Sequence, residues 1–205
     1  PITIDKSSVT IGTYTANYNI TVQPGTLTIE KTDEELTVSL ADFTHVYDGT
    51  AYYNTNTAET NELTGTTTVL YATSEDAADE DWTDDLTTIT ATAVADSLTI
   101  YVKATNPNYK NTATDTAALT ITARPITLKA NNASNEYTGE TITYATAEDA
   151  EEPYYTITNT AEDEGLAPNQ SITAATLSGE GIEAGTYPIT IDKSSVTIGT
   201  YTANY

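Results

Sequence analysis

Apolar and polar residues alternate most clearly in LTIYVKA, where Leu98, Ile100, Val102 and Ala104 point one way and Thr99, Tyr101 and Lys103 the other. A period of two is that of a half-buried strand. Similar segments predict strands at about 35–47, 66–73, 87–94, 98–105 and 116–122 in the first part of the chain. In the second part they predict strands near 126–131, 141–147, 154–160, 171–177 and 186–198, with 201–205 leading into a segment like 19–23 and then 26–30. Turn signals separate them: Asp48-Gly49, Thr138-Gly139, Pro24-Gly25, Asn106-Pro107-Asn108 and the acidic stretch 75–85. Helix-period patterns are essentially missing. The pattern is that of an all-β protein.

A repeat organises these elements. Residues 1–18 read PITIDKSSVTIGTYTANY, and residues 188–205 read the same without a difference. The offset from Pro1 to Pro188 is 187 residues, so the chain is expected to be one repeat of an array plus the first 18 residues of the next, cut at an arbitrary point. Two domains are expected per repeat. The first spans residues 31–122. The second spans residues 123–205 and needs NITVQPGTLTIE to close. That segment occurs here only as residues 19–30, so residues 1–30 are read as the C-terminal strands of a second-type domain from the preceding repeat. Strands of about ten residues at ~3.3 Å each make a domain about 35–45 Å long and a repeat of roughly 70–90 Å.

The motifs carry a resemblance. VYDGTAYY, VLYATSEDAADEDWTDD and LTIYVKATNPNYKNTATDTAALTIT, in that order, resemble the bacterial Ig-like repeats with a YDG motif. RPITLKANNASNEYTGETITY together with YTANYNITVQPGTLTIE is similar to the companion RPxTL or MBG-type repeats of the same giant surface proteins, with Tyr137-Thr138-Gly139 in place of YDG. The resemblance implies two small Ig-like, β-sandwich-type domains per 187-residue repeat, arranged in tandem. It implies location on a bacterial cell surface or in an extracellular filament, as stalk or adhesin, and assigns no ligand.

Composition narrows the partners. With 30 acidic residues against 7 basic ones the net charge is −23, which repels nucleic acid and anionic lipid alike. No apolar run approaches the ~20 residues of a membrane span, so no membrane insertion is expected within this fragment. Cysteine is absent, which excludes disulfides and thiolate metal sites. High charge is also the signature of disorder, but the regular alternation argues for folded sheets.

Little in the sequence points to chemistry. The single histidine, His45, has no nucleophile motif near it, and Asp48, at odd spacing on a strand, is not expected on its face, so it is read as having no partner and the chain as not an enzyme. No cofactor is expected. Ca²⁺ takes about six to eight oxygen ligands, and the loop with Glu75, Asp76, Asp79, Glu80, Asp81, Asp84 and Asp85 is the candidate for it. The plainer reading of that loop is a solvated acidic turn beside Trp82, and the clusters 148–152 and 162–164 are read in the same way. Tyr52-Tyr53 and Tyr154-Tyr155 are the pairs that could stack on sugar rings, though core packing is the commoner use of such residues. The expected role is a structural stalk or spacer whose partners are adjacent copies of the repeat, end to end. The alternative is a module that binds host glycan or mucin, with avidity supplied by the repeats.

Overall fold

A computed structural model describes residues 1–61, 65–145 and 154–205. The chain is β-rich. Its strands are β1 (Val38–Ser39), β2 (Phe43–Val46), β3 (Glu59–Thr60), β4 (Thr68–Ala72), β5 (Leu98–Thr105), β6 (Ala113–Thr122), β7 (Leu128–Ala130), β8 (Ile142–Ala145), β9 (Tyr155–Ile157), β10 (Ala174–Gly181) and β11 (Thr190–Thr197). Every helical element among the described residues is a three-residue 3-10 turn.

Residues 31–122 are built on a four-stranded sheet in the order β2-β6-β5-β4. β5 is antiparallel to β4 and β6, while β2 runs parallel to β6. The alternation in LTIYVKA is realised as expected: Ile100, Val102 and Ala104 are buried, as are Ala117, Leu119 and Ile121 on β6. Each fully buried Ile, Leu or Val contributes about 1.5–3 kcal/mol through area removed from water. β1 and β3 form a separate antiparallel pair, and Leu36, Val38 and Leu40 join the same core.

The strand expected at 35–47 is divided because its halves join different sheets. The crossing at Leu40–Asp42 is held by side chains instead of a ladder. Asp115 accepts from the Leu40 N–H at 2.8 Å, the Asn54 amide donates to the Ala41 carbonyl at 2.8 Å, and Asp42 accepts from the Ala118 N–H at 2.7 Å. The strand expected at 87–94 does not form. Asp85 caps a 3-10 turn at Leu86–Thr88, and a second turn follows at Val94–Asp96, which leaves only the bridge of Ala91 to Tyr52. Ile89 and Ala91 are buried all the same.

Residues 123–205 hold a three-stranded sheet in the order β11-β10-β8 and the pair β7-β9. Their core is thin. Among the described residues here only Ala167, Leu177 and Ile198 are apolar and buried, and Ala167 belongs to the core of residues 31–122.

The two copies of the 18-residue sequence share local side-chain hydrogen bonds, but Lys6–Ser8 is a 3-10 turn in the first and the equivalent Lys193–Ser195 lie within β11 in the second. Ser7 donates its N–H and hydroxyl to Asp5 at 2.9 and 2.7 Å, and Ser194 does so to Asp192 at 2.9 and 2.7 Å. In both copies these bonds hold the aspartate pKa below its usual value. Thr15 accepts from the Ile11 N–H at 2.9 Å as Thr202 does from Ile198 at 2.8 Å, and Gly12 and Gly199 have φ of 55° and 54°. Their tertiary surroundings differ. The second copy forms β11 against β10, whereas the first has no strand beside it among the described residues and meets residues 19–30 through the bridge of Ile2 to Gly25. Ile198 is 2% exposed and its equivalent Ile11 is 40% exposed. The strands expected at 19–23 and 26–30 are absent, and Pro24-Gly25 does not turn one into the other, because no partner strand lies alongside.

Candidate functional site

Polar side chains converge where residues 31–122 meet residues 123–205. The centre is Arg124, the single arginine of the chain, which follows β6 by two residues and is 7% exposed. Its guanidinium meets carbonyls and, among the described residues, no carboxylate. Nε donates to Gly165 at 3.1 Å, one terminal nitrogen to Glu162 and Glu164 at 2.6 and 2.8 Å, and the other to Tyr47 at 3.4 Å. The planar fork of arginine suits several acceptors held around it. The Arg124 N–H donates to the Asn204 carbonyl at 2.8 Å, and the Asn204 side chain accepts from the Val94 N–H at 2.9 Å.

Two tyrosines and a glutamine continue the junction. Tyr47 is buried and meets Tyr205 edge to face at 5.8 Å between centroids. Gln170 bridges them, donating to the Tyr47 hydroxyl at 2.7 Å and accepting from the Tyr205 hydroxyl at 2.6 Å. Tyr205 also accepts from the Ala167 N–H at 2.8 Å; burial raises its pKa, and that bond offsets only part of the rise. The APNQ turn aims Gln170: its N–H donates back to the Ala167 carbonyl at 3.2 Å, and Asn169 takes a φ of 62°, a conformation that Asn tolerates better than most residues. No buried side-chain donor or acceptor among the described residues lacks a partner. The junction is a satisfied polar network of the kind that fixes one orientation.

The tight turn of VYDG lies beside it. Gly49 has φ of 87°. Asp48 accepts from the Thr50 N–H and the Tyr52 hydroxyl, both at 2.7 Å. Burial works to raise the Asp48 pKa, but these bonds and the nearby His45 outweigh it and the net direction is down. The Tyr52 pKa is raised, chiefly by its bond to Asp48. His45 is not without partners, contrary to the sequence reading. Its ring lies 3.8 Å from that of Tyr52 and stacks on Phe43 at 6.5 Å, and Nε2 is 3.8 Å from Asp48. The odd spacing misleads because β2 ends at Val46 and the turn brings Asp48 back.

The candidate Ca²⁺ loop is spread over the surface. Glu75, Asp76, Asp79, Glu80, Asp81, Asp84 and Asp85 are all exposed, and Asp85 is engaged by the Thr87 N–H and hydroxyl at 3.0 and 2.6 Å. Among the described residues no three His, Asp or Glu side chains are grouped so as to hold a metal ion. Trp82 donates to the Ala77 carbonyl at 3.3 Å and receives the Lys103 ammonium over its ring at 4.1 Å. The cluster 148–152 lies outside the described residues, and Glu162 and Glu164 contribute carbonyls to Arg124. A ligand that binds only the folded state raises its apparent stability. Millimolar Ca²⁺ is therefore expected to leave the melting temperature unchanged; a rise that Asp79→Asn and Asp81→Asn abolish would restore the loop as a metal site.

The tyrosine pairs named from the sequence are largely used in packing. Tyr52 is covered by His45, and Tyr154 meets Tyr144 edge to face at 5.6 Å. The more exposed rings are elsewhere: Tyr137 and Tyr187 line a cavity of about 630 Å³ between residues 130–137 and 179–189. No family model matches the chain, and comparison with curated proteins and with solved structures finds no match.

Proposed function

We propose that the chain is a piece of a tandem array in an extracellular bacterial surface protein or fibre, where it acts as a stalk or spacer and not as an enzyme. The observation that carries this reading is the exact recurrence of 18 residues at an offset of 187, with the same local side-chain hydrogen bonds in both copies. On this reading residues 31–122 and 123–205, the latter closed by a segment like 19–30, are two small β-sandwich-type domains of YDG and MBG type. The Arg124–Tyr47–Gln170–Tyr205 junction supports a spacer, because a stalk must transmit orientation from one domain to the next and a buried network does so where a flexible linker does not. The high negative charge keeps neighbouring stalks apart and disfavours nucleic acid and membrane as partners. His45, packed against the Tyr52 ring and with no nucleophile motif near it in the sequence, does not favour a catalytic reading.

Small-angle scattering of chains with one, two and three repeats tests this. A stiff array lengthens linearly by roughly 70–90 Å per repeat. A maximum dimension that grows with the square root of repeat number would contradict it. The second reading, a glycan- or mucin-binding module, is favoured by the exposed Tyr137 and Tyr187 at the 630 Å³ cavity. Saturable retention on a glycan array, lost in Tyr137→Ala and Tyr187→Ala, would establish it in place of the spacer.

A further inference from the structure

We propose that the array unfolds pair by pair: residues 31–122 and the second-type domain that follows them form one unit through Arg124, and the boundary at residues 30–33 is the weaker joint, where one pair is independent of the next. The proposal rests on the tandem-array reading and ranks the two joints of each repeat. Loss of one pair to unfolding then leaves its neighbours folded, which a long stalk needs.

The two joints occupy equivalent positions. Thr32 follows Leu27-Thr28-Ile29 at the same distance as Arg124 follows Leu119-Thr120-Ile121. The Thr32 N–H donates to the Asn108 carbonyl at 2.9 Å, as the Arg124 N–H does to that of Asn204 at 2.8 Å. Each acceptor begins an Asn-Tyr pair whose tyrosine N–H closes a turn, Tyr109 onto Asn106 at 3.1 Å and Tyr205 onto Thr202 at 3.2 Å. Both domain types therefore receive the chain by the same backbone clasp, and Thr32 stands where Arg124 does.

The side chains differ. Arg124 donates to Tyr47 on one side of its boundary and to Glu162, Glu164 and Gly165 on the other, and Gln170 reaches across to the Tyr47 hydroxyl. The Thr32 hydroxyl is engaged locally, accepting from the Glu34 N–H at 3.1 Å. Asp33 pairs with Lys110, and Asn111 accepts from the Leu36 N–H and donates to the Leu36 carbonyl, both at 2.9 Å. Thr32, Asp33 and Asn111 thus tie the entering segment to the domain it enters, whereas Arg124 spans its boundary. The tyrosines follow the same division. Tyr205 is half-buried and meets Tyr47 across the joint, while its equivalent Tyr109 is 3% exposed inside the core of residues 31–122.

Charge acts in the same direction. Residues 30–35 read EKTDEE, with four carboxylates and one ammonium, and the equivalent residues 122–127 read TARPIT, with Arg124 as the one charge. Excluding water from the first boundary buries a guanidinium that is fully bonded; excluding it from the second would desolvate several carboxylates against a single cation, which opposes a tight interface. Alignment is kept all the same. Two residues separate Ile29 from Thr32, as two separate Ile121 from Arg124, too few for a freely swinging linker.

Urea unfolding of chains with two and three repeats, each extended past its last residue by NITVQPGTLTIE, reads the size of the unit, because the urea dependence of a transition scales with the surface it exposes. The expected result is one transition with the same midpoint and the same urea dependence in both chains, as for uncoupled neighbours in an array. Thr32→Ala in every repeat should leave it unchanged, and Arg124→Met in every repeat should split it into two. A urea dependence about half again as large with three repeats as with two would show coupling across residues 30–33 and overturn the proposal. Two transitions in the parent chains would overturn it as well, since the pair would then not be the unit. Neither result alters the length that scattering measures per repeat, which tests the array reading separately.

Discussion

Replacing Arg124 with Met is expected to destabilise the chain by about 2–4 kcal/mol, because neutral carbonyls lose a charged donor while no buried charge is left unpaired. Four carbonyls, of Tyr47, Glu162, Glu164 and Gly165, lose their donor together. A buried carbonyl without a donor costs about 1–3 kcal/mol. Methionine fills the volume of the aliphatic stem, so the loss reports hydrogen bonding more than cavity formation. Lysine should not rescue it, because a single ammonium cannot serve acceptors spread around a planar fork. Urea unfolding followed at two probes, Trp82 for residues 31–122 and a label at Thr156 for residues 123–205, should change from one transition to two. A shift of less than about 0.5 kcal/mol, the range of ordinary surface substitutions, would show that the junction does not hold the two parts together.

Gly49→Val should lower stability by about 2–3 kcal/mol, more than His45→Ala. At φ of 87° a β-branched residue is an outlier, and the left-handed region alone costs about 1–2 kcal/mol for an L-residue. A Cβ there would have room, with the Gln170 amide at 3.6 Å and the Tyr47 hydroxyl at 3.9 Å, but the added methyls would crowd the bond between them. His45→Ala removes a ring packed on Tyr52 at a half-exposed site, worth about 0.5–1.5 kcal/mol. Thermal unfolding of both variants checks the order. Equal losses would place the weight of this turn on the aromatic row instead of on the glycine.

Strands paired on both sides were located with unequal accuracy: β10 runs over Ala174–Gly181 where 171–177 was expected. β5 occupies the residues its alternation marks, and Gly49 and Gly139 adopt the positive φ expected of their turns. The strand expected at 87–94 does not form although Ile89 and Ala91 are buried, because an apolar pattern does not report whether a neighbour is in register. Elements decided by distant partners were not legible: nothing local shows that Leu40–Asp42 crosses between sheets on the side chains of Asp115 and Asn54. The parallel pairing of β2 with β6 joins residues far apart in sequence and has no local signature.

The junction escaped the sequence reading for a related reason. Tyr47, Gln170 and Tyr205 belong to separate turns that only the fold brings together. One signal was present: a lone arginine in a chain of net charge −23, two residues past a strand, has few reasons to be there except a specific set of acceptors. The acidic loop shows the opposite error. Seven carboxylates in eleven residues suggest a cation, but they diverge on the surface, and the side chain that does meet the loop is Lys103, over Trp82.

The central claim is that a segment with the sequence of residues 19–30 closes the fold of residues 123–205. It is tested most directly by extending the chain past Tyr205 with NITVQPGTLTIE and measuring amide exchange along β11. The account predicts that amides of Thr190–Thr197 become protected by a factor of about 100 or more, since an edge strand gains a ladder and a core, each tenfold corresponding to about 1.4 kcal/mol. Exchange at β11 that is the same with and without the extension would contradict it.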